Sequence, residues 1–255
     1  MNLNFQTHRV HDYLYLVRRW KQVCRNARLR YEVFAEAHGF ELFYVHSPRW
    51  SAYAQENGLY LSAGIHGDEP AASAALLLWA ELHAPILKDL PLLIFPCLNP
   101  WGLIHNRRLD ADGRDLNRCF HLDEPLQIKR QKDVIGQRRF SLVLCLHEDY
   151  DAQGVYLYEV RQPGSQMGQE LLAAAGYYVP VDLRKTIEGR RAAQGVIIRR
   201  VNLKKFPLLA EAAYLALGHT ARAFTLETPS EYDLAARVQA QVAVIQRAIE
   251  LVATG

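Results

Sequence analysis

His66 and Glu69 place an imidazole and a carboxylate three residues apart within the run Ala63-Gly64-Ile65-His66-Gly67-Asp68-Glu69-Pro70. Imidazole nitrogen and carboxylate oxygen both suit Zn²⁺, and two histidines with one glutamate form a catalytic zinc set that keeps a coordination position for water. Such a site would hydrolyse. Zinc brings the pKa of a water down to about 7, a preplaced cation or donor stabilises the oxyanion that follows, and a carboxylate can take a proton and return it to the leaving amine. A His-x-x-Glu pair recurs by chance, so its setting matters more than its existence.

The setting is a strand-to-helix turn. Residues 59–62 read as an apolar strand and residues 71–82 as a helix, so both side chains would be aimed at one spot above the strand end. Residues 8–29 pattern as an amphipathic helix, with Val10, Leu14, Val17, Val23 and Leu29 apolar among Arg, Lys and His. Residues 31–37 and 40–46 alternate around His38-Gly39, as in an antiparallel hairpin. Residues 91–98 are a nearly continuous apolar run, expected of a strand covered on both faces.

A polar, turn-rich stretch follows from 99 to 120, then a charged helical segment to 139. Residues 140–146, 155–160, 196–201 and 221–226 read as further strands, and 232–253 as a closing helix. Strands alternating with helices indicate an α/β fold with a mixed, mostly parallel twisted sheet between helices. With no repeat, low-complexity tract or composition break, residues 1–255 are expected to form a single catalytic domain. Open sheets of this kind build sites at the carboxyl ends of their strands. His66 and Glu69 follow one such strand, His147 ends the next apolar run but one, and Glu227 ends the run 221–226.

Composition narrows the class. A chain of 255 residues, 50% hydrophobic and 22% charged, can bury a full core. The formal charge of +3 is too small to argue for nucleic acid, and the basic stretch 18–30 reads as the wet face of a helix. No signal-like n-region and h-region opens residues 1–5, and no apolar run is long enough to span a bilayer. Cys24, Cys97, Cys119 and Cys145 form no C-x-x-C, which points to reduced thiols and a cytoplasmic setting, with no membrane partner.

Further segments complete an ordered set. Asn99-Pro100-Trp101-Gly102 opens a loop that closes with Asp115-Leu116-Asn117-Arg118, and Arg108 stands nine residues before Asn117. Phe224-Thr225-Leu226-Glu227 follows near the C-terminal end. Taken with the His-x-x-Glu upstream and His147 between, this order resembles the zinc carboxypeptidase superfamily. That group includes carboxypeptidase A, the murein-peptide amidases and, more distantly, the aspartoacylase and succinylglutamate desuccinylase deacylases. The resemblance runs from about residue 59 to 228.

The resemblance implies one Zn²⁺ per chain, held by His66, Glu69 and His147. It implies that Asp115 accepts a hydrogen bond from a liganding imidazole and so sets its tautomer. Arg108 would polarise the scissile carbonyl, Asn117 and Arg118 would hold the substrate's carboxylate, and Glu227 would be the general base. The implied reaction is hydrolysis of an amide next to a carboxylate-bearing residue in a short peptide. An N-acyl amino acid deacylase is the alternative enzyme, and a carboxylate-binding module without turnover the non-enzymatic one. Deacylases of the group commonly carry a further C-terminal β-domain, and residues 228–255 leave no room for one, which favours the peptidase.

The run Glu148-Asp149-Tyr150-Asp151 reads as a solvated loop at the site's rim, or as a selector for amino-bearing substrates or a support for His147. Tyr156 and Tyr158 share a strand face toward cleft or core. Tyr214 is the nearest upstream candidate for a substrate-closing tyrosine, although residues 210–217 look helical.

Overall fold

The computed structural model describes residues 9–50, 58–161, 167–200 and 208–253. The expected start of the first helix at residue 8, the opening residues 1–5 and the end of the strand at 201 lie outside them.

The first helix, α1 (Tyr13–Ala27), is capped by the Asp12 carboxylate, which accepts from the Tyr15 backbone N–H. It buries Leu16, Trp20, Val23 and Cys24, leaves Arg18, Lys21 and Arg25 exposed, and pairs Arg19 with Glu81. The hairpin β1 (Arg30–Ala37) and β2 (Phe40–His46) follows, turning at His38 and Gly39, both at positive φ. Then come β3 (Gly58–Ser62), α2 (Pro70–Leu82), the single turn α3 (Ala84–Leu87), β4 (Leu92–Phe95) and α4 (Pro100–His105). After a 3-10 turn at Leu116–Arg118 the chain forms α5 (Leu126–Ile135), β5 (Phe140–Asp149), β6 (Tyr156–Arg161) and α6 (Met167–Ala175). A small hairpin, β7 (Thr186–Ile187) and β8 (Arg190–Arg191), precedes β9 (Val196–Arg199), α7 (Glu211–Gly218), β10 (Arg222–Pro229) and α8 (Leu234–Ala253).

The main sheet has the order β1-β2-β4-β3-β5-β10-β6-β9. The run β4-β3-β5-β10 is parallel, the β1-β2-β4 side is antiparallel, and β6 enters antiparallel to β10 before pairing parallel with β9. This is the mixed, mostly parallel sheet expected from the pattern. One face packs under α1, α2, α6 and α8 around Trp20, Trp79 and Leu144, and the other under α5 and α7 around Tyr60, Phe95 and Leu215. Such double coverage is why the β3, β4 and β5 segments are apolar at almost every position.

Two expectations shift. The strand β4 ends at Phe95 rather than Leu98, because Pro96 lacks the N–H that would continue the ladder. His147 and Glu227 do not end their strands; β5 and β10 each run two residues further, in parallel pairing of Glu227 with His147 and Pro229 with Asp149. No helix among the described residues is long and apolar enough to cross a membrane. All four cysteines are free and buried.

Candidate metal centre and substrate cleft

The turn after β3 is shaped by a close backbone approach. A Cβ on Gly67 would lie 1.9 Å from the carbonyl carbon of Gly102, so only glycine lets the His66–Glu69 turn rest on α4. The Gly67 N–H donates to the Arg107 carbonyl at 3.0 Å, fixing this contact. Asn99 caps α4 through Oδ1, which accepts from the Gly102 N–H at 2.9 Å. Its Nδ2 donates to the carbonyls of Arg108 and Leu109, so one side chain sets both the helix start and the return of the loop. Within that loop the buried Asp110 accepts from the backbone of Asp112 and Arg114 and pairs with the Arg114 guanidinium. This clasp presents Asp115.

The result is a cluster in which one carboxylate bridges two imidazoles. Glu69 Oε1 lies 2.6 Å from His66 Nδ1, and Oε2 lies 2.8 Å from His147 Nδ1 and accepts from the Glu148 N–H at 3.2 Å. His66, Glu69 and His147 are 2%, 5% and 2% exposed, and one ligand atom from each falls within 4.8 Å of the others. His66 Nε2 faces Asp115 Oδ1 at 3.1 Å. Arg108 donates to Asp115 Oδ2 at 3.2 and 3.1 Å and lies 3.5 Å from Glu69 Oε1. Asp115 pairs with Arg108 rather than with its neighbour Arg118, which donates to the Asn117 carbonyl.

The electrostatics follow from this crowding. Burial pushes the Glu69 carboxyl up, but the charges and hydrogen bonds of His66 and His147 outweigh it and hold the group well below the usual carboxylate range. Burial pulls the His66 imidazole down, and the Glu69 and Asp115 carboxylates reverse this, lifting it to about 9. Asp115 is likewise raised by burial yet held low by His66, Arg108 and Arg118. Glu227 stands in register beside His147 at the cleft wall. Its carboxyl is pushed well above its ordinary value, by burial foremost; His147 opposes this, and the negative charges of Glu69, Asp149 and Glu188 add to it.

The acidic run corrects in part. Glu148 is buried rather than solvated: its Oε2 accepts from the Ala71 N–H at 2.8 Å, capping α2, and its Oε1 pairs with Arg237 of α8. Burial lifts its carboxyl to about 7 against the pull of Arg237. Asp149 accepts from the Tyr156 hydroxyl at 2.8 Å, and Tyr150 and Asp151 are exposed. The Glu148 side chain thus secures the start of α2 and not the His147 ring.

Next to the cluster opens a cavity of about 400 Å³, lined by His66, Glu69, Arg108, Asn117, Arg118 and Glu227 among others. Asn117 is oriented by accepting the Glu211 N–H on Oδ1 at 2.9 Å. Tyr156 and Tyr158 face this cleft, with Thr225, Ala212 and Ala213. Tyr214 stands in α7 with its ring against Phe120 and His219 and is not among the lining residues. Thr225, Arg190 and Arg199 were not anticipated. Thr225 was within reach, being two positions before Glu227 on one strand and so on the same face. The arginines carry no local signal.

Residues 55–250 match the family described as succinylglutamate desuccinylase/aspartoacylase catalytic domain. Among solved structures, a Shewanella denitrificans protein provisionally classed as a metallopeptidase is similar at 23% identity and TM-score 0.82, over 95% of this chain and 91% of that one. A metallo-carboxypeptidase from Burkholderia cenocepacia is similar at 15% identity and TM-score 0.69, over 93% of this chain and 68% of the other. A Pseudomonas aeruginosa metallo-carboxypeptidase in complex with (2-guanidinoethylmercapto)succinic acid is similar at 16% identity and TM-score 0.68, over 93% and 68%. Likeness at these identities is likeness of fold. No curated protein matches the sequence significantly.

Proposed function

The chain belongs to the succinylglutamate desuccinylase/aspartoacylase catalytic-domain family, and on that premise we propose that it is a zinc-dependent hydrolase of the amide bond next to a carboxylate-bearing residue in a short peptide. The observation that carries this reading is the Glu69 carboxylate bridging His66 and His147, with Glu227 in register beside them. The donors fit zinc: a buried carboxylate and two ring nitrogens converge within 4.8 Å, beside an open cavity. Bound there, the ion would activate a water for attack and polarise the scissile carbonyl.

The remaining work falls to the chain's own groups. Asp115 accepts from the Nε2–H of His66, which would free Nδ1 to ligate the ion beside Glu69. Arg108, held against Asp115, offers a cation to the oxyanion. Glu227 has a raised carboxyl, suited to take a proton at its carboxylate oxygen and return it to the leaving amine. Asn117 and Arg118 hold the free carboxylate at the cavity wall.

A second reading, hydrolysis of an N-acyl amino acid, is favoured by the family to which residues 55–250 match. Bond and leaving group are the same; only the acyl part differs. The test is hydrolysis by zinc-loaded protein of short peptides, γ-linked peptides and N-acyl amino acids, each as free acid and as amide. Free acids should be cut and amides spared. Turnover confined to N-acyl amino acids would select the second reading, and no turnover of any would remove both.

A further inference from the structure

Glu211, the first residue of α7, is 1% exposed and lies on the α5 and α7 side of the sheet. Burying a carboxylate is costly unless its oxygens are met, and here three neutral donors meet them. Oε1 accepts from the Tyr60 hydroxyl at 2.5 Å and the Gln131 amide at 2.6 Å, and Oε2 accepts from the Ser62 hydroxyl at 2.9 Å. The Gln131 amide also donates to the Tyr60 hydroxyl at 2.7 Å, which closes the network. Tyr60 and Ser62 are two apart on β3 and so share a face, and Gln131 reaches them from α5. Burial first, then the Glu211 charge, pushes the Tyr60 hydroxyl well above its ordinary value, so it remains a donor.

An apolar side chain would fill this place without the desolvation. What the carboxylate secures is the position of its own backbone. The Glu211 N–H donates to Asn117 Oδ1 at 2.9 Å. Only the oxygen end of a carboxamide can accept, so this bond decides which way the group faces and leaves the Nδ2 donor for the cavity that Asn117 lines. The Asn117 N–H is itself held by Asp115 Oδ1 at 3.0 Å, and the Phe120 N–H by the Leu209 carbonyl at 3.1 Å. Residues 116–120 are thereby tied to the start of α7, and Glu211 ties that start to β3, the strand that leads into the His66–Glu69 turn.

We infer that Glu211 is a positioning residue: its side chain, locked to Tyr60, Ser62 and Gln131, holds the start of α7 where it sets the Asn117 carboxamide for the substrate's carboxylate. This rests on the hydrolase reading above. Asn117→Ala, Glu211→Ala, their double variant and Glu211→Gln, each checked for zinc content, are compared with the parent on short peptides and N-acyl amino acids as free acids. Asn117→Ala should lower kcat/KM by roughly 10–150-fold, the factor expected of a hydrogen bond to a charged group. Glu211→Ala should lose much of that factor through KM, with kcat per bound zinc near the parent's. Glu211→Gln, which keeps the length and one acceptor oxygen, should restore part of it. In the Asn117→Ala background, loss of Glu211 should add no more than about twofold, because both changes act on one contact. A merely structural role would cost the same factor with or without Asn117. Such additivity, or an unchanged KM in Glu211→Ala, overturns the inference and leaves the hydrolase reading intact; Asn117→Ala without effect removes the carboxylate contact and the inference with it. The Asn117 side-chain amide signals in ¹⁵N–¹H spectra, assigned by their absence from Asn117→Ala, give a readout that needs no substrate. They should move in Glu211→Ala and in Tyr60→Phe, which removes one donor and serves where the alanine variant fails to fold. Signals left in place overturn the inference, and their displacement upholds the positioning even where no substrate turns over.

Discussion

Glu227 and Arg118 line one cleft, and their proposed roles separate cleanly by mutation. The hydrogen bonds that join His66, Glu69 and His147 are made among those three side chains, and Glu227 acts on them through its charge. Glu227→Gln is nearly isosteric and should keep zinc and fold while turnover falls by about 10²–10⁴-fold, the usual cost of losing a general base. Full turnover with zinc in place would move the proton shuttle elsewhere. Arg118 anchors one guanidinium nitrogen on the Asn117 carbonyl at 2.9 Å, which orients the group in the wall. Its loss should remove about 1.5–3 kcal/mol of charge-assisted bonding, so Arg118→Ala should lower kcat/KM by roughly 10–150-fold. Arg118→Lys should recover only part, keeping charge without the fork. Amidating the substrate's carboxylate should impair the parent and hardly affect Arg118→Ala; equal rates on acid and amide in the parent would remove the clamp.

At the scale of elements, the β3–α2 turn depends on a contact with α4 that no side chain makes. Gly67 meets Gly102 backbone to backbone, so the clash of an added methyl at 1.9 Å cannot be relieved by a rotamer change. Overpacking of this kind costs about 1–3 kcal/mol, occasionally more. Gly67→Ala should therefore destabilise the fold in denaturant titration and weaken zinc retention, since His66 and Glu69 flank the displaced residue. A variant matching the parent in both would mean that the turn is not set by this contact. The helix α2 shows the complementary dependence: its natural N-cap residue, Glu69, is committed to the imidazoles, and Glu148 from β5 caps Ala71 in its place.

At the scale of the whole molecule, the proposed metal joins distant segments: the β3–α2 turn and β5, with Asp115 supporting from the 99–118 loop. An ion bound by the folded form alone adds stability by mass action, about 2.7 kcal/mol at a hundredfold excess over Kd. For a chain of this size that corresponds to a Tm rise of roughly 5–10 °C. Thermal unfolding of chelator-stripped protein, before and after zinc is restored, should show this rise, and the His66→Ala/His147→Ala double variant should lack it. Equal midpoints with and without zinc would argue against the ligand set.

The candidate chemistry was legible in the sequence because its signals are local. His66 and Glu69 share one turn, Asp115, Asn117 and Arg118 share one loop, and His147 and Glu227 close apolar runs that can only be buried strands. An α/β sheet delivers such groups to one edge, so their convergence follows from pattern alone. The tertiary structure decided what depends on register and on contacts between remote segments. Parallel pairing set Glu227 beside His147 two residues before the strand ends, and Arg108 took Asp115 from Arg118. Glu148 became a buried cap because β5 passes the start of α2 and Arg237 of α8 reaches it. Arg199, with no motif around it, is turned into the cleft by the β6–β9 pairing. Spacing along a chain can specify a turn or a strand face, but only packing brings residues of different elements within reach of one ligand.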